Sequence, residues 1–356
     1  MTATASPAGQ PNPLARGLRM AAVAVIAVVI YLIVLWVALF AFGGRTVETA
    51  FPEALQQTVN ALSIGAIYAL IALGYTMVYG IIELINFAHG DIFMLGAFMS
   101  VVFIGGITGH NEAVTNIPLL IILVLGALLF SMPIIGLLNA AIERAVYRPL
   151  RHAPRLAPLI TAVGVSFILQ NLALIVAGSG DRKAPQIFPL DWQIPIGGAQ
   201  ISILSIFIFA LAMVLMISLQ AFVSRTRLGR AMRATAQDQE AAALMGVDAN
   251  QTIALTFMIG GVLAAAAGVV WGLRFGFVRF DLGFNSGLKA FTAAVLGGIG
   301  NITGAVIGGF VIGFIENFSA ALGYSRWSEF LVFVILTLVL IFKPTGILGQ
   351  ATGDRA

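Results

Sequence analysis

Polar residues are so sparse along this chain that its pattern is one of long apolar runs cut by short polar punctuation. The first run extends from Met20 to Phe42 and is preceded by Arg16 and Arg19. Further runs lie near 58–80, 91–107, 117–142, 156–177, 202–223 and 253–273, with a last one near 327–342. A helix rises about 1.5 Å per residue, so roughly 20 residues cross the apolar core of a bilayer. Each run therefore predicts a spanning helix. The first is longer than the roughly 7–15 residues of a signal-peptide core and reads as an uncleaved span. The stretch 288–322 leaves two readings open: a re-entrant hairpin, or two spans broken at Gly297-Gly298-Ile299-Gly300-Asn301. The expected architecture is an all-α polytopic membrane protein with eight to ten transmembrane helices, including re-entrant or broken segments. The number is even if both termini share a side.

Composition agrees with this pattern. Only 10% of the 356 residues are charged and 60% are hydrophobic, whereas soluble domains carry roughly 25% charged residues. A water-soluble fold has no room to hide so much apolar surface. There are no cysteines, which excludes disulfides and thiolate chemistry. The arginines sit in short loops between spans, which argues against nucleic-acid binding.

Placement of charge orients the spans. With the N-terminus inside, twelve of the nineteen Lys and Arg residues fall inside, in the segments around Arg16, Arg148, Arg230 and Lys343. Arg45, Arg182, Lys183, Arg274, Arg279, Lys289 and Arg326 fall outside. Trp36, Trp192, Trp271 and Trp327 then lie toward the outer side, as an interfacial belt. Residues 1–15 are a Ser/Pro/Gly/Gln tail expected to be disordered. Residues 16–345 are expected to form the transmembrane domain, with 225–251 as a cytoplasmic loop, and 346–356 a cytoplasmic C-terminal tail.

Two polar interruptions carry the candidate chemistry. Residues 225–251 are basic and Ala-rich between two apolar runs, with Arg227, Gly229, Arg230 and Arg233 ahead of Glu240-Ala241-Ala242 and Gly246. Alanines favour helix, and Gly246 suits a turn at positive φ after it. Such a helix is a handle for a soluble partner. The arginines are equally suited to anchoring the loop at anionic lipid headgroups. The second interruption is Glu83 to Asp91, with Asn86 and His89 between them. It reads either as a solvated turn between two spans or as a broken helix at membrane depth, where ionisable groups are costly and functional. Glu83, Asn86, His89 and Asp91, together with Asn60 and Asn301, are candidates to line a polar route through the membrane. Gly300, Gly304 and Gly308, Gly309 and Gly313, and Gly268 and Gly272 repeat at intervals of four. That spacing lets helices approach closely, within one subunit or along a pore or dimer face.

Enzymatic readings fail. There is no phosphate-binding GxxxxGK[ST] sequence and no HExxH pair. His89, His110 and His152 lie in separate loops, so no metal site is expected.

The chain resembles a known family. Glu240-Ala241-Ala242 with Gly246 resembles the coupling loop of ABC-importer permeases. Asn60 to Leu70, Gly74-Tyr75, Ile85 to Asp91, and Thr292 to Asn301 with Gly304-Ala305 resemble the LivH family of branched-chain amino-acid permeases. The resemblance covers about residues 55–345. The fuller loop pattern ends in Ile-x-Leu-Pro, and no such Pro follows Gly246. The resemblance implies a permease in the bacterial inner membrane with both termini cytoplasmic. It implies a second, LivM-like permease, two ATP-binding subunits of the LivG and LivF type and a periplasmic substrate-binding protein. The chain itself would bind no cofactor, with ATP and Mg held by the partner ATPases. Related permeases serve urea, short-chain amides or other small compounds. A stand-alone secondary transporter or channel is the alternative of another class.

Overall fold

The computed structural model describes residues 13–349 apart from positions 42, 43, 152 and 155. Twelve α-helices follow in order among the described residues: α1 (Pro13–Ala41), α2 (Val47–Ile82), α3 (His89–Val101), α4 (Ile117–Ile142), α5 (Leu156–Ala177), α6 (Ile203–Arg225), α7 (Arg227–Gln237), α8 (Gln239–Leu244), α9 (Ala249–Phe275), α10 (Leu282–Gly297), α11 (Ile302–Ala321) and α12 (Ser328–Phe342). A π-helical turn extends α3 to Ile107, and another extends α4 to Tyr147. The strands β1 (Arg182–Lys183) and β4 (Phe277–Val278) pair antiparallel, as do β2 (Gln193–Ile196) and β3 (Ala199–Ser202). Among the described residues, eight helices are long and apolar enough to cross a membrane. The protein is thus a polytopic all-α membrane protein.

The helices alternate between two ends. One carries α7, α8 and the C-terminal stretch; the other carries the strand pairs. α2 is longer than its apolar run, because Glu48, Glu53, Gln56 and Gln57 begin the helix before the apolar residues do. Of the expected tail 1–15, positions 13–15 already belong to α1. The rest of that tail, and residues 350–356, lie outside the described residues.

Glycine sets the spacing of the core. A Cβ on Gly309 would stand 2.5 Å from the Ala69 Cα, and one on Gly313 2.5 Å from the Gly65 Cα. These contacts bring α11 against α2. Gly96 and Gly268 do the same between α3 and α9, with Cβ approaches of 2.5 Å to the Ala265 Cα and 2.4 Å to the Ala97 nitrogen. Gly308 lies under Ala293 of α10 in the same way. Most of the repeated glycines therefore serve packing within the subunit; Gly300 instead lies in the turn between α10 and α11 at φ +87.

The ambiguous region 288–322 resolves into the short helix α10 and the span α11. α3 and α9 run parallel, with Gly96 beside Ala265 and Gly272 beside Ser100. Yet Gly283, just after α9 and β4, lies against Asp91 near the start of α3. At about 1.5 Å per residue, the chain has turned back by roughly 20 Å from the end of α9 before α10 begins. The start of α3 is recessed too. His89 packs on Gly74 rather than on the last turn of α2, so residues 83–88 fold back by roughly 12 Å. The first turns of α3 and α10 meet inside the bundle, where a Cβ on Gly90 would lie 2.2 Å from the Gly283 carbonyl oxygen.

Two expectations need correction. Lys289 is not in an outer loop; it lies within α10, paired with Glu316. Trp271 is no belt residue: it is buried on α9, edge-on to Phe93 and stacked near Phe275. In both cases an apolar flank hid a helix that continues through the residue.

The packing predicts a sharp contrast. Gly309→Leu must push the α2 backbone away and should lower the thermal midpoint of the purified protein by several degrees or prevent its accumulation. Gly164→Leu meets nothing within 4 Å and should leave the midpoint unchanged. Fluorescence-detected thermal unfolding in detergent checks both.

Candidate functional site

The segment between α6 and α9 folds as two capped helices. Thr226 caps α7 by accepting from the Gly229 N–H at 3.0 Å. Gly229 has no alternative, since a Cβ there would lie 2.2 Å from the Val223 carbonyl oxygen. α7 turns Gly229, Met232 and Thr235 inward and leaves Arg227 and Arg230 exposed. Arg233 donates to the Val223 carbonyl oxygen and pins α7 back on α6. Asp238 then caps α8, accepting from the Ala241 N–H at 2.9 Å. Gly246 ends it at φ +84, while the Val247 N–H reaches back to the Ala242 carbonyl oxygen at 3.0 Å. Glycine alone adopts this left-handed turn without strain. Ala242 is buried, whereas Glu240 and Ala241 are exposed. Asp248 caps α9 in turn.

This unit is a rigid projection with an apolar tip. Leu244 and Met245 are 89% and 85% exposed, an unusual setting for large apolar side chains beyond the spans. The unit also touches the membrane helices, because the Gln239 side-chain amide reaches the Ile81 carbonyl oxygen at 3.5 Å. Ile81 is in the last turn of α2, directly ahead of the folded-back segment. Sequence reasoning found the alanines and Gly246 but passed over Leu244 and Met245, which look like one more stretch of apolar helix.

The folded-back segment brings three of the candidate pathway residues into the interior. Asn86, His89 and Asp91 are all buried. Tyr147 donates to the Asn86 side-chain oxygen at 2.8 Å. The His89 ring lies edge-on to Tyr75, 4.8 Å between centroids. Asp91 accepts from Ser166 of α5, and Ser166 accepts from Gln170 at 3.1 Å. Neither sequence reading describes this fully: there is a turn, but it is tucked inside. Glu83 marks its beginning in the left-handed region, at φ +53, and is exposed.

Asn60 and Asn301 are not part of this cluster. Asn60 lies toward the strand end of α2 and accepts from Arg274 at 3.0 Å. Asn301 caps α11 through the Gly304 N–H at 3.0 Å, and its amide donates to the Leu348 carbonyl oxygen at 2.9 Å. That bond ties the C-terminal stretch to the turn between α10 and α11.

A second polar cluster escaped the sequence reading. Lys289 of α10 lies 3.0 Å from Glu316 of α11, and Tyr68 of α2 donates to Glu316 at 2.7 Å. The available signal was a lone charge inside each of two apolar stretches. Among the described residues no group of three potential metal ligands is present.

Together, spans packed through glycine, a helix pair projecting between two of them and polar groups at recessed helix starts define a multi-pass transport subunit. The family model for branched-chain amino acid transport system permease components matches residues 57–340. The permease protein BraD of the high-affinity branched-chain amino acid transport system of Pseudomonas aeruginosa is 43% identical over 304 residues, 85% of this chain and 97% of BraD. LivH of Escherichia coli K12 is 41% identical over the same shares. A probable LivH of Methanocaldococcus jannaschii is 26% identical over 82% of this chain and 91% of that protein. No solved structure matches. The chain belongs to the branched-chain amino acid transport system permease family.

The buried cluster gives a test of its own. A Cβ on Gly74 would stand 2.1 Å from the His89 Nε2, so Gly74→Ala should destabilise the protein by about 1–3 kcal/mol through overpacking. Adding His89→Ala removes the obstacle and should restore most of the loss. Denaturant or thermal unfolding of the single and double variants measures this; equal loss in both would show that His89 does not occupy this site.

Proposed function

We propose that this chain is the permease subunit of an ABC importer that carries Leu, Ile and Val across the bacterial inner membrane, driven by ATP hydrolysis in separate subunits. The observation that carries the coupling role is the capped α7–α8 unit with Leu244 and Met245 at its tip. A rigid helix seated in a groove of an ATPase transmits its motion as a body. The contact of Gln239 with the end of α2 leads that motion to the recessed start of α3. Family membership and extended identity to permeases named for branched-chain amino acids support this substrate over urea or short-chain amides. A stand-alone transporter has no use for such a projection.

The reading brings its partners with it. A second, LivM-like permease completes the membrane unit; LivG- and LivF-like subunits hold ATP and Mg; a periplasmic binding protein delivers the amino acid. The α7–α8 end faces the cytoplasm, as do both termini, in keeping with the excess of Lys and Arg there.

Two measurements test this. Leu244→Asp with Met245→Asp should leave insertion intact while reducing ATPase co-purification and ATP-driven leucine uptake by about tenfold, a loss of about 1.4 kcal/mol or more. Unchanged uptake would contradict the coupling role. A cysteine at Ala243 should react with impermeant maleimide only from the cytoplasm, and one at Asp181 only from outside. The absence of native cysteines keeps the signal clean, and the reverse pattern would overturn the orientation.

A further inference from the structure

We propose that the Lys289–Glu316 ion pair is the point at which the permease receives its substrate as a zwitterion. This deepens the amino-acid reading above and rests on it. The Lys289 ammonium and a Glu316 oxygen lie 3.0 Å apart, with side-chain exposures of 14% and 25%. Glu316 is held from behind by the hydroxyl of Tyr68, itself buried in α2. A second carboxylate, Glu329 in the first turn of α12, stands 3.8 Å from the Lys289 ammonium and is 62% exposed. The pair is thus fixed on its inner side and open on its outer side.

The open side belongs to a particular face. α5 packs on α3, α3 on α10, and α10 on α12, while α5 and α12 are among the least covered spans. Along α10, the exposed Phe284 and Asn285 lie one turn before Leu288 and Lys289, so the same side of the helix offers apolar and charged contacts together.

Stability does not explain the charges. Each charge at membrane depth costs on the order of 2.5–3.5 kcal/mol on insertion scales. Replacing a buried ion pair by apolar residues of similar volume is often neutral or stabilising. A zwitterionic amino acid carries the same two charges at similar spacing. Entering the pair, its carboxylate takes the Lys289 ammonium and its own ammonium takes Glu316. Glu329 is placed to hold Lys289 as the exchange begins. One ion pair becomes two, and at no stage is a charge left uncompensated. The aliphatic side chain meets Phe284 and Leu288.

The test uses the complete transporter with its binding protein in proteoliposomes. ATP-driven leucine import by the wild-type complex is the control, and its failure would count against the substrate reading alone. Lys289→Met, Glu316→Gln and the double variant Lys289→Met/Glu316→Met should assemble and keep binding-protein-stimulated ATPase activity, yet import leucine about tenfold more slowly or worse. Lys289→Arg should retain most import. Wild-type import by the double apolar variant would overturn the proposal. So would its failure to assemble, since the pair would then belong to folding.

Discussion

Lipid tails are as apolar as leucine, so helices in a membrane gain little by hiding apolar side chains from their surroundings. What holds α2, α3, α9, α10 and α11 together is how closely their backbones meet. Gly65, Gly96, Gly268, Gly309 and Gly313 remove the atoms that would keep those backbones apart. The rest of the architecture depends on this, because only a body packed so tightly can hold irregular chain within it.

Two such irregularities follow. The chain folds back after α2 and again after α9, and α3 and α10 begin well inside the bundle. Non-helical backbone at such depth is tolerated only where protein surrounds it or a cavity is lined. Here the glycine contacts at Gly74, Gly90, Gly283 and Gly287 surround it, and Tyr147 and Ser166 give Asn86 and Asp91 one hydrogen bond each, leaving the Asn86 amide nitrogen and the other Asp91 oxygen buried without a partner among the described residues. The short helix α10 packs its start, at Gly283, against Asp91 of α3 and carries Lys289 two turns later. The projection α7–α8 touches α2 where the first fold-back begins.

Much of this was legible in the amino-acid order. Apolar runs locate most spans to within a few residues, although α2 begins well ahead of its run, and the polar break at 225–251 marks the projection because water-facing helices need charge. Gly246 announces its own turn. The fold-backs were not legible, since they are tertiary facts: nothing in Glu83-Leu84-Ile85-Asn86 says that the chain retreats beside α2 rather than turning at the surface. For the same reason Lys289 looked like an outer-loop charge. Its partner is 27 positions away on another helix, and only their meeting makes either one tolerable. Leu244 and Met245 were missed because exposure, not composition, makes them notable.

The depth of the recessed start of α10 is directly measurable. Asn285 is exposed and in the first turns of α10, so a nitroxide attached to a cysteine there reports where α10 begins. In the reconstituted transporter, power-saturation electron paramagnetic resonance with oxygen and a water-soluble nickel chelate should place this label well inside the bilayer, roughly 20 Å below the level of the end of α9. A label at Asp181 should sit at the aqueous boundary. Equal depths for the two labels would contradict the recessed helix start and the face of the protein built on it.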